Sequence, residues 1–450
     1  MKKIIFLLLL TPLFVFTQNI KGIVLDKKSN LPIQDANVTL NQNRESTTSD
    51  EKGKFNLTSS KKLQENDSLY VSHIGYTPTK ISLFELKKNN YLVLLDEKKE
   101  YLDGVIVTSE HKNLKSKLAF TKLPSLKHPI SSFGSVLRDD KLYIIGGDGS
   151  FKTDAWKKLQ YENSNPDTKL EDYLKELQFQ FSGQYYNGNL LIYDLKTNLW
   201  ETSEIKFRKR AYDNLISYNN TIYVLGGKRI SANGKFEYLD DKIEVFDTNK
   251  KTVTIDNTNP HQAVNFASFA YNGSIIVMGG SVKMNEKKAK EYTNKVHSFD
   301  TNTGYWYELT NMPTSKEVNG TLIKDKIFLI GGNNGKPLSS IESFDLTTET
   351  WKTEGELFDN LDYPAIDHKE NLIFVFENEK IYTIDINNRE MKEYLIDLPL
   401  KASKLHYFQD KLYIIGGFKE NYYSQYPSSS FISIDINEFE NTKPNRIKQF

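Results

Sequence analysis

The chain has 450 residues, more than one ordinary core organises, so two or more domains are expected. Its 59 Lys+Arg stand against 58 Asp+Glu, which excludes a nucleic-acid binder driven by a basic face. It has no cysteine, which excludes disulfides, zinc–thiolate sites and a thiol nucleophile.

In chain order, Met1-Lys2-Lys3 is followed by the apolar run Ile4–Phe16, then Thr17-Gln18. Two lysines before a short apolar run predict a secretory signal peptide over residues 1–17, since a bilayer span takes about 20 apolar residues. No later stretch is long and apolar enough to cross a membrane. The expectation is an exported protein with no integral membrane segment in its mature chain, placed in the periplasm, at the outer membrane or outside the cell.

Residues 18–96 read as short strands separated by turns. Ile20–Leu25 is apolar, Ala36–Leu40 and Lys54–Leu57 alternate, and Asp67–Tyr76 is the longest expected strand. Close turns between alternating strands predict a small β-sandwich. The set Gly22, Val24, Asp26, Leu31-Pro-Ile33, Ala36-Asn-Val38, Ser49-Asp-x-x-Gly-x-Phe55 and Val71-Ser-x-Ile-Gly-Tyr76 resembles the carboxypeptidase-regulatory-like domain. The resemblance implies a transthyretin-like, non-catalytic accessory module common in exported envelope proteins. Asp50 and Gly53 read as turn chemistry. Residues 97–116 read as a linker. Its stretch Tyr101–Ser109 is similar to the segment that joins this module to the plug of TonB-dependent transporters, but no plug follows; the reading preferred is an extended apolar linker.

Beyond the linker one unit repeats. Leu142-Tyr-Ile-Ile-Gly-Gly147 returns at Leu412–Gly417, with Ile222–Gly227, Ile275–Gly280 and Ile327–Gly332 between them. Leu372–Glu377 keeps the apolar run and loses both glycines. Measured at the last residue of each copy, the steps are 80, 53, 52, 45 and 40 residues, a period that marks a propeller or array. Each copy precedes a strand ending in aspartate: Asp194, Asp247, Asp300, Asp345, Asp385 and Asp435. Three copies add a tryptophan after a Thr/Asn turn, at Trp200, Trp306 and Trp351. This pattern is identified as the kelch repeat. The fold class expected is therefore all-β, a small β-sandwich followed by a six-bladed kelch β-propeller over residues 117–450. Lys117–Pro124 is expected to close the ring as the outer strand of blade six, with Asn445–Phe450 as the rival. Phe376 and Glu377, in the copy without glycines, are expected to tolerate change.

The expected binding surface is the rim where the blade-one insertion, residues 148–184, meets the blade-six loop. It centres on Trp156, Tyr422, Tyr423 and Tyr426, with Arg229 nearby. Aromatic faces beside amides and charges suit recognition of an envelope protein or a glycan. Lys169–Leu177 is spaced like an amphipathic helix. The alternative is a sugar-modifying enzyme, because kelch propellers include N-acetylneuraminate epimerase. Its acid/base groups would be sought at the channel among Arg210, Glu317 and His128, with His261 at a fourth repeat position. Galactose oxidase, also a kelch propeller, needs a Tyr–Cys crosslink that this chain cannot make. No histidine pair has metal-ligand spacing; neither a metal nor a cofactor is expected, and no catalytic residue is assigned.

Overall fold

The computed structural model describes residues 18–41, 45–59, 62–98, 114–162, 170–178, 185–233, 236–284 and 290–450. The signal-peptide segment 1–17, the linker stretch 101–109, and Phe179 and Phe181 of the insertion lie outside them. Two compact units divide at Glu110 and His111.

The first unit packs two sheets. One orders strands Lys54–Ser59, Gln18–Asp26 and Leu92–Leu95; the other orders Ser46–Thr48, Asn37–Leu40, Ser68–Ser72 and Thr79–Ser82. Alternate residues point inward, so Ile20, Val24, Val38, Leu40, Phe55, Leu57, Leu69 and Val71 form one core. Gln18–Asp26 is the longest strand, with nine residues. Asp67–Tyr76 yields only Ser68–Ser72, because Gly75 turns the chain at φ 87°. The Asp50 carboxylate accepts from the N–H groups of Lys52 (2.9 Å) and Lys54 (2.8 Å), as turn chemistry requires.

The second unit is a ring of six antiparallel sheets. Their second strands are Lys141–Ile145, Thr221–Ile230, Ser274–Met278, Lys326–Ile330, Leu372–Glu377 and Lys411–Ile415. Strand alternation sends successive residues to opposite neighbours. Leu142 and Ile144 pack with Tyr413 and Ile415 of blade six, whereas Ile145 packs with Ile222 and Val224 of blade two. Each of the six blade-to-blade seams holds its own apolar cluster.

Blade six takes its outer strand from the N-terminal side. Thr121 pairs with Ser433 and Lys122 with Ile432, and Leu118 is buried in the seam between blades five and six. The C-terminal strand Arg446–Gln449 does not close the ring. It adds a fifth strand outside Glu390–Leu395 of blade five, where Arg446 pairs with the buried Glu393 carboxylate.

The repeat residues hold turns and seams. Asp194, Asp247, Asp300, Asp345 and Asp385 each accept from the backbone N–H groups two and three residues on. Those bonds favour the ionised carboxylate and hold Asp194, Asp247, Asp300 and Asp345 below the usual range. Each tryptophan Nε1–H donates toward the outer end of the preceding blade: Trp200 to the Pro124 carbonyl (2.7 Å), Trp306 to Thr258 Oγ1 (3.1 Å) and Trp351 to the Thr310 carbonyl (3.4 Å).

Blade five lacks the glycine pair and replaces it with a buried acid. The Glu377 carboxylate accepts from the Asp362 and Tyr363 N–H groups, both at 3.0 Å, and the turn passes to Asn378 (φ 44°) and Glu379 (φ 66°). Phe376 is only 1% exposed. These positions are therefore constrained, contrary to the tolerance expected from the missing glycines. Phe376→Ala should cost about 3–5 kcal/mol in denaturant unfolding, since the Leu398/Leu400 side of the seam would retain the cavity. A loss below about 1 kcal/mol would show that the seam collapses onto the gap.

Candidate functional site

Two regions of the loop-bearing face were expected to carry function. The structure treats them differently.

At the rim, the blade-one insertion and the blade-six loop are one piece of sheet. Lys152–Thr153 pairs antiparallel with Ser424–Pro427, which pairs in turn with Phe418–Glu420. The Asp154 N–H donates to the Tyr423 carbonyl at 2.7 Å, and the Thr153 and Ser424 hydroxyls meet at 2.9 Å. Helices Ala155–Glu162 and Leu170–Leu177 follow, tied by Lys158–Glu176 at 2.8 Å. The second helix is the amphipathic segment expected there, and none of its side chains is buried.

The aromatic side chains meet across this junction. Tyr161 lies 5.9 Å from Tyr422 and 5.7 Å from Tyr423, Phe151 stacks on Tyr426 at 5.7 Å, and Trp156 meets Tyr173 edge-on at 5.7 Å. The rings stay open to solvent despite these contacts. Trp156 is 48% exposed, Tyr161 68%, Tyr422 63% and Tyr426 44%; Tyr423 is half-buried. Trp156, Tyr422, Tyr423 and Tyr426 thus lie on one composite surface. Tyr161, another aromatic residue of the insertion, joins them.

Arg229 belongs to a different group. It lies 3.4 Å from Asp240, which is fully buried and also holds Arg208 (2.9 Å) and Arg210 (3.2 Å). Three guanidiniums around one carboxylate make a charge cluster that pins the blade-two hairpin.

At the axis, Arg210, Glu317 and His128 are not brought together. Arg210 is fully buried, bonding the Gly226 carbonyl (3.2 Å) and Glu244 Oε2 (2.5 Å). Blades three and four repeat the contact. His261 Nε2 bonds the Gly279 carbonyl and its Nδ1 meets His297; Lys316 bonds the Gly331 carbonyl and Glu342. Arg210, His261 and Lys316 therefore do one job, tying the carbonyl of the first glycine to the third strand of the same blade. His128 is exposed in the loop before blade one. Among the four positions proposed for channel chemistry, only Glu317 lines the axial cavity. It is 1% exposed and accepts from Ser281 Oγ (2.6 Å) and Lys290 Nζ (2.9 and 3.0 Å).

Burial shifts several groups near the axis. His261 and His406 are held down at about 4, chiefly by desolvation of their charged forms, and Asp213 is pushed up to about 7 for the same reason. The depressed histidines contribute stability that is full above pH ~6.5 and lost as pH falls toward 4; the raised aspartate contributes stability present below pH ~3.8 and lost as pH rises toward 7. Two histidines outweigh one carboxyl. The contribution of these three groups to the unfolding free energy should therefore rise between pH 4 and 6.5, and Asp213→Asn should steepen that rise. A flat stability profile by urea titration would contradict these assignments.

Among the described residues no three His, Asp or Glu side chains form a group suited to a metal ion, and no helix is long and apolar enough to cross a membrane.

Comparison with known proteins follows the same division. Residues 20–107 match the family described as CarboxypepD_reg-like domain, and residues 178–355 match that described as KLHDC2/KLHL20/DRC7 Kelch-repeats domain. The chain is similar to human Kelch-like protein 38, 21% identical over 262 residues covering 56% of this chain and 43% of the relative. It is similar to Kelch-like protein 40 of Xenopus laevis, 24% identical over 278 residues, 58% and 42% respectively. A shorter match, 28% identical over 145 residues, is to Kelch-like protein 41a of Danio rerio, covering 31% and 22%. The chain thus spans less than half the length of these relatives. With the two sheets of the first unit and the six blades of the second, the chain carries a carboxypeptidase-regulatory-like domain followed by a kelch-repeat β-propeller.

Proposed function

We propose that this chain is a non-enzymatic, protein-binding propeller, exported to the cell envelope, that recognises its partner through the composite rim of blades one and six. The observation that carries the reading is the three-stranded rim sheet, which joins two loops distant in sequence and leaves Trp156, Tyr161, Tyr422 and Tyr426 open. The kelch repeat requires neither loop, and a large exposed aromatic cluster is unusual on a surface with no partner. Rigid rings lose little entropy on contact, which suits them as anchors. Export rests on the Met1–Phe16 segment and on the company the first domain keeps. A glycan is the second partner class, since the same rings offer flat apolar faces beside amides. The dispersal of Arg210, Glu317 and His128 leaves the epimerase-type reading without an assembled acid/base pair.

The test is a double substitution, Trp156→Ala with Tyr422→Ala, measured against an envelope-protein library and a glycan array. Truncating two anchors at about 2 kcal/mol or more each should weaken the captured interaction roughly 700-fold or more with melting temperature unchanged. Unchanged binding would remove the rim as the site. A hit on glycans alone would replace the protein partner by the second class.

A further inference from the structure

The propeller axis opens on the loop-bearing face as a cavity of about 300 Å³, continued below by a recess of about 80 Å³. Tyr212, Tyr363, Asn265, Ser132 and Ala402 line both, so the two form one space. The mouth is at the small end of ligand pockets, which run from about 300 Å³, and suits a single ring.

The chemistry of the walls narrows what fits. Lys228 and Lys290 line the mouth and Lys404 the recess; Asp148 lines the mouth, and Glu317 and Asp362 the recess. Lys152 at the mouth and Asp213 in the recess keep the signs even. The mouth holds three lysines to one acid and the recess three acids to one lysine, so the balance holds for the space as a whole and not along it. Two of the lysines already have partners: Lys228 donates to Glu237 (2.8 Å) and Lys290 to Glu317. Lys404 is partly buried on the innermost strand of blade six; among the described residues its ammonium makes no hydrogen bond or close ion pair, and the charge it feels is that of Asp213. Its burial holds its ammonium below the ordinary lysine range. The Asp213 carboxylate, 2% exposed, likewise has no hydrogen-bond partner among the described residues. An unmet donor at the floor, carboxylate acceptors beside it and two tyrosine rings as walls call for a neutral group that both donates and accepts.

We propose that the axial cavity is a second binding site, separate from the rim, for a small neutral polyhydroxylated molecule of one ring, with Lys404 and Glu317 as its hydrogen-bonding partners and Tyr212 and Tyr363 as its walls. A hydroxyl accepts from the Lys404 ammonium while its neighbour donates to the Glu317 carboxylate, and the tyrosine faces exclude water around the ring.

Saturation-transfer NMR on the full chain tests this with D-glucose, N-acetylglucosamine and myo-inositol, alongside putrescine and butyrate as charged probes of similar size. At least one polyol should bind, neither charged probe should, and Lys404→Met should weaken the polyol roughly tenfold or more. Tyr363→Phe keeps the wall and should change binding little, while Tyr363→Ala should abolish it; melting curves show that each variant is folded. The rim substitutions Trp156→Ala and Tyr422→Ala should leave polyol binding unchanged, so failure of either site is visible without the other. Absence of any polyol signal, preference for putrescine or butyrate, or full binding by folded Lys404→Met would each overturn the proposal.

Discussion

Removing residues 1–124 should lower the melting temperature of the propeller far more than removing residues 18–98. The first deletion takes away the strand at Thr121–Lys122, the buried Leu118 and the Pro124 carbonyl that receives the Trp200 indole. It leaves an open edge on the Phe431–Asp435 strand, which becomes a template for pairing with other chains. Burying a leucine side chain contributes about 2–3 kcal/mol, so losing Leu118 with two ladder pairs and the solvent-exposed Trp200 hydrogen bond should total about 4 kcal/mol or more. The second deletion removes one compact unit and touches none of these contacts. Differential scanning calorimetry should show a drop of about 10 °C or more for the first, with concentration-dependent aggregation, and almost none for the second. Equal midpoints would show that the N-terminal strand is ornamental to the ring.

Gly332→Ala should be among the most costly point substitutions. Gly332 sits at φ 105°, outside the region open to L side chains, and a Cβ there would lie 2.3 Å from the Glu317 carbonyl oxygen. That carbonyl is main chain and accepts the Asn333 N–H at 2.9 Å, so it cannot move without breaking the blade-four turn. Backbone strain of about 1–3 kcal/mol adds to the clash, for a total above about 3 kcal/mol. Gly331→Val should also destabilise, because φ there is 64° and its Cβ would press on the carbonyls of Leu361 and Leu338. Urea unfolding checks both; a midpoint within error of the parent for Gly332→Ala would mean that the glycine pair is not what shapes the turn.

The repeat made most of the fold legible. Apolar runs with Asp-ended partners appear once per blade, five of the six with a Gly-Gly ending, and each proved to be a second or third strand. Blade five was legible as a strand because its apolar period survives, although its turn was not. Nothing in the letters of Phe376-Glu377 shows that a carboxylate will accept two backbone N–H groups in place of glycine geometry. Asp67–Tyr76 was overread because a turn at Gly75 interrupts an otherwise strand-like run.

The site was less legible, for a physical reason. Ring symmetry places every pre-strand polar residue near the axis, so sequence alone does not separate Glu317, which lines the cavity, from Arg210 and His261, which tie strands behind the glycines. One residue of phase decides it: Lys316 points to Glu342 in the wall while its neighbour Glu317 faces inward. The pairing of Lys152–Thr153 with Ser424–Pro427 is a contact between residues some 270 positions apart. Only ring closure predicts it, and closure is itself a reading of the repeat.

The rim as recognition surface is tested most directly by photo-crosslinking from within it. A benzophenone side chain at Tyr422 should capture a single partner from envelope extracts, and one at Asn302, on the Asx turn between the third and fourth strands of blade three, should capture none. The identified partner should then protect Tyr161 and Tyr422 from nitration. Crosslinks that form from Asn302 but not from Tyr422 would contradict the rim and place recognition elsewhere on the propeller.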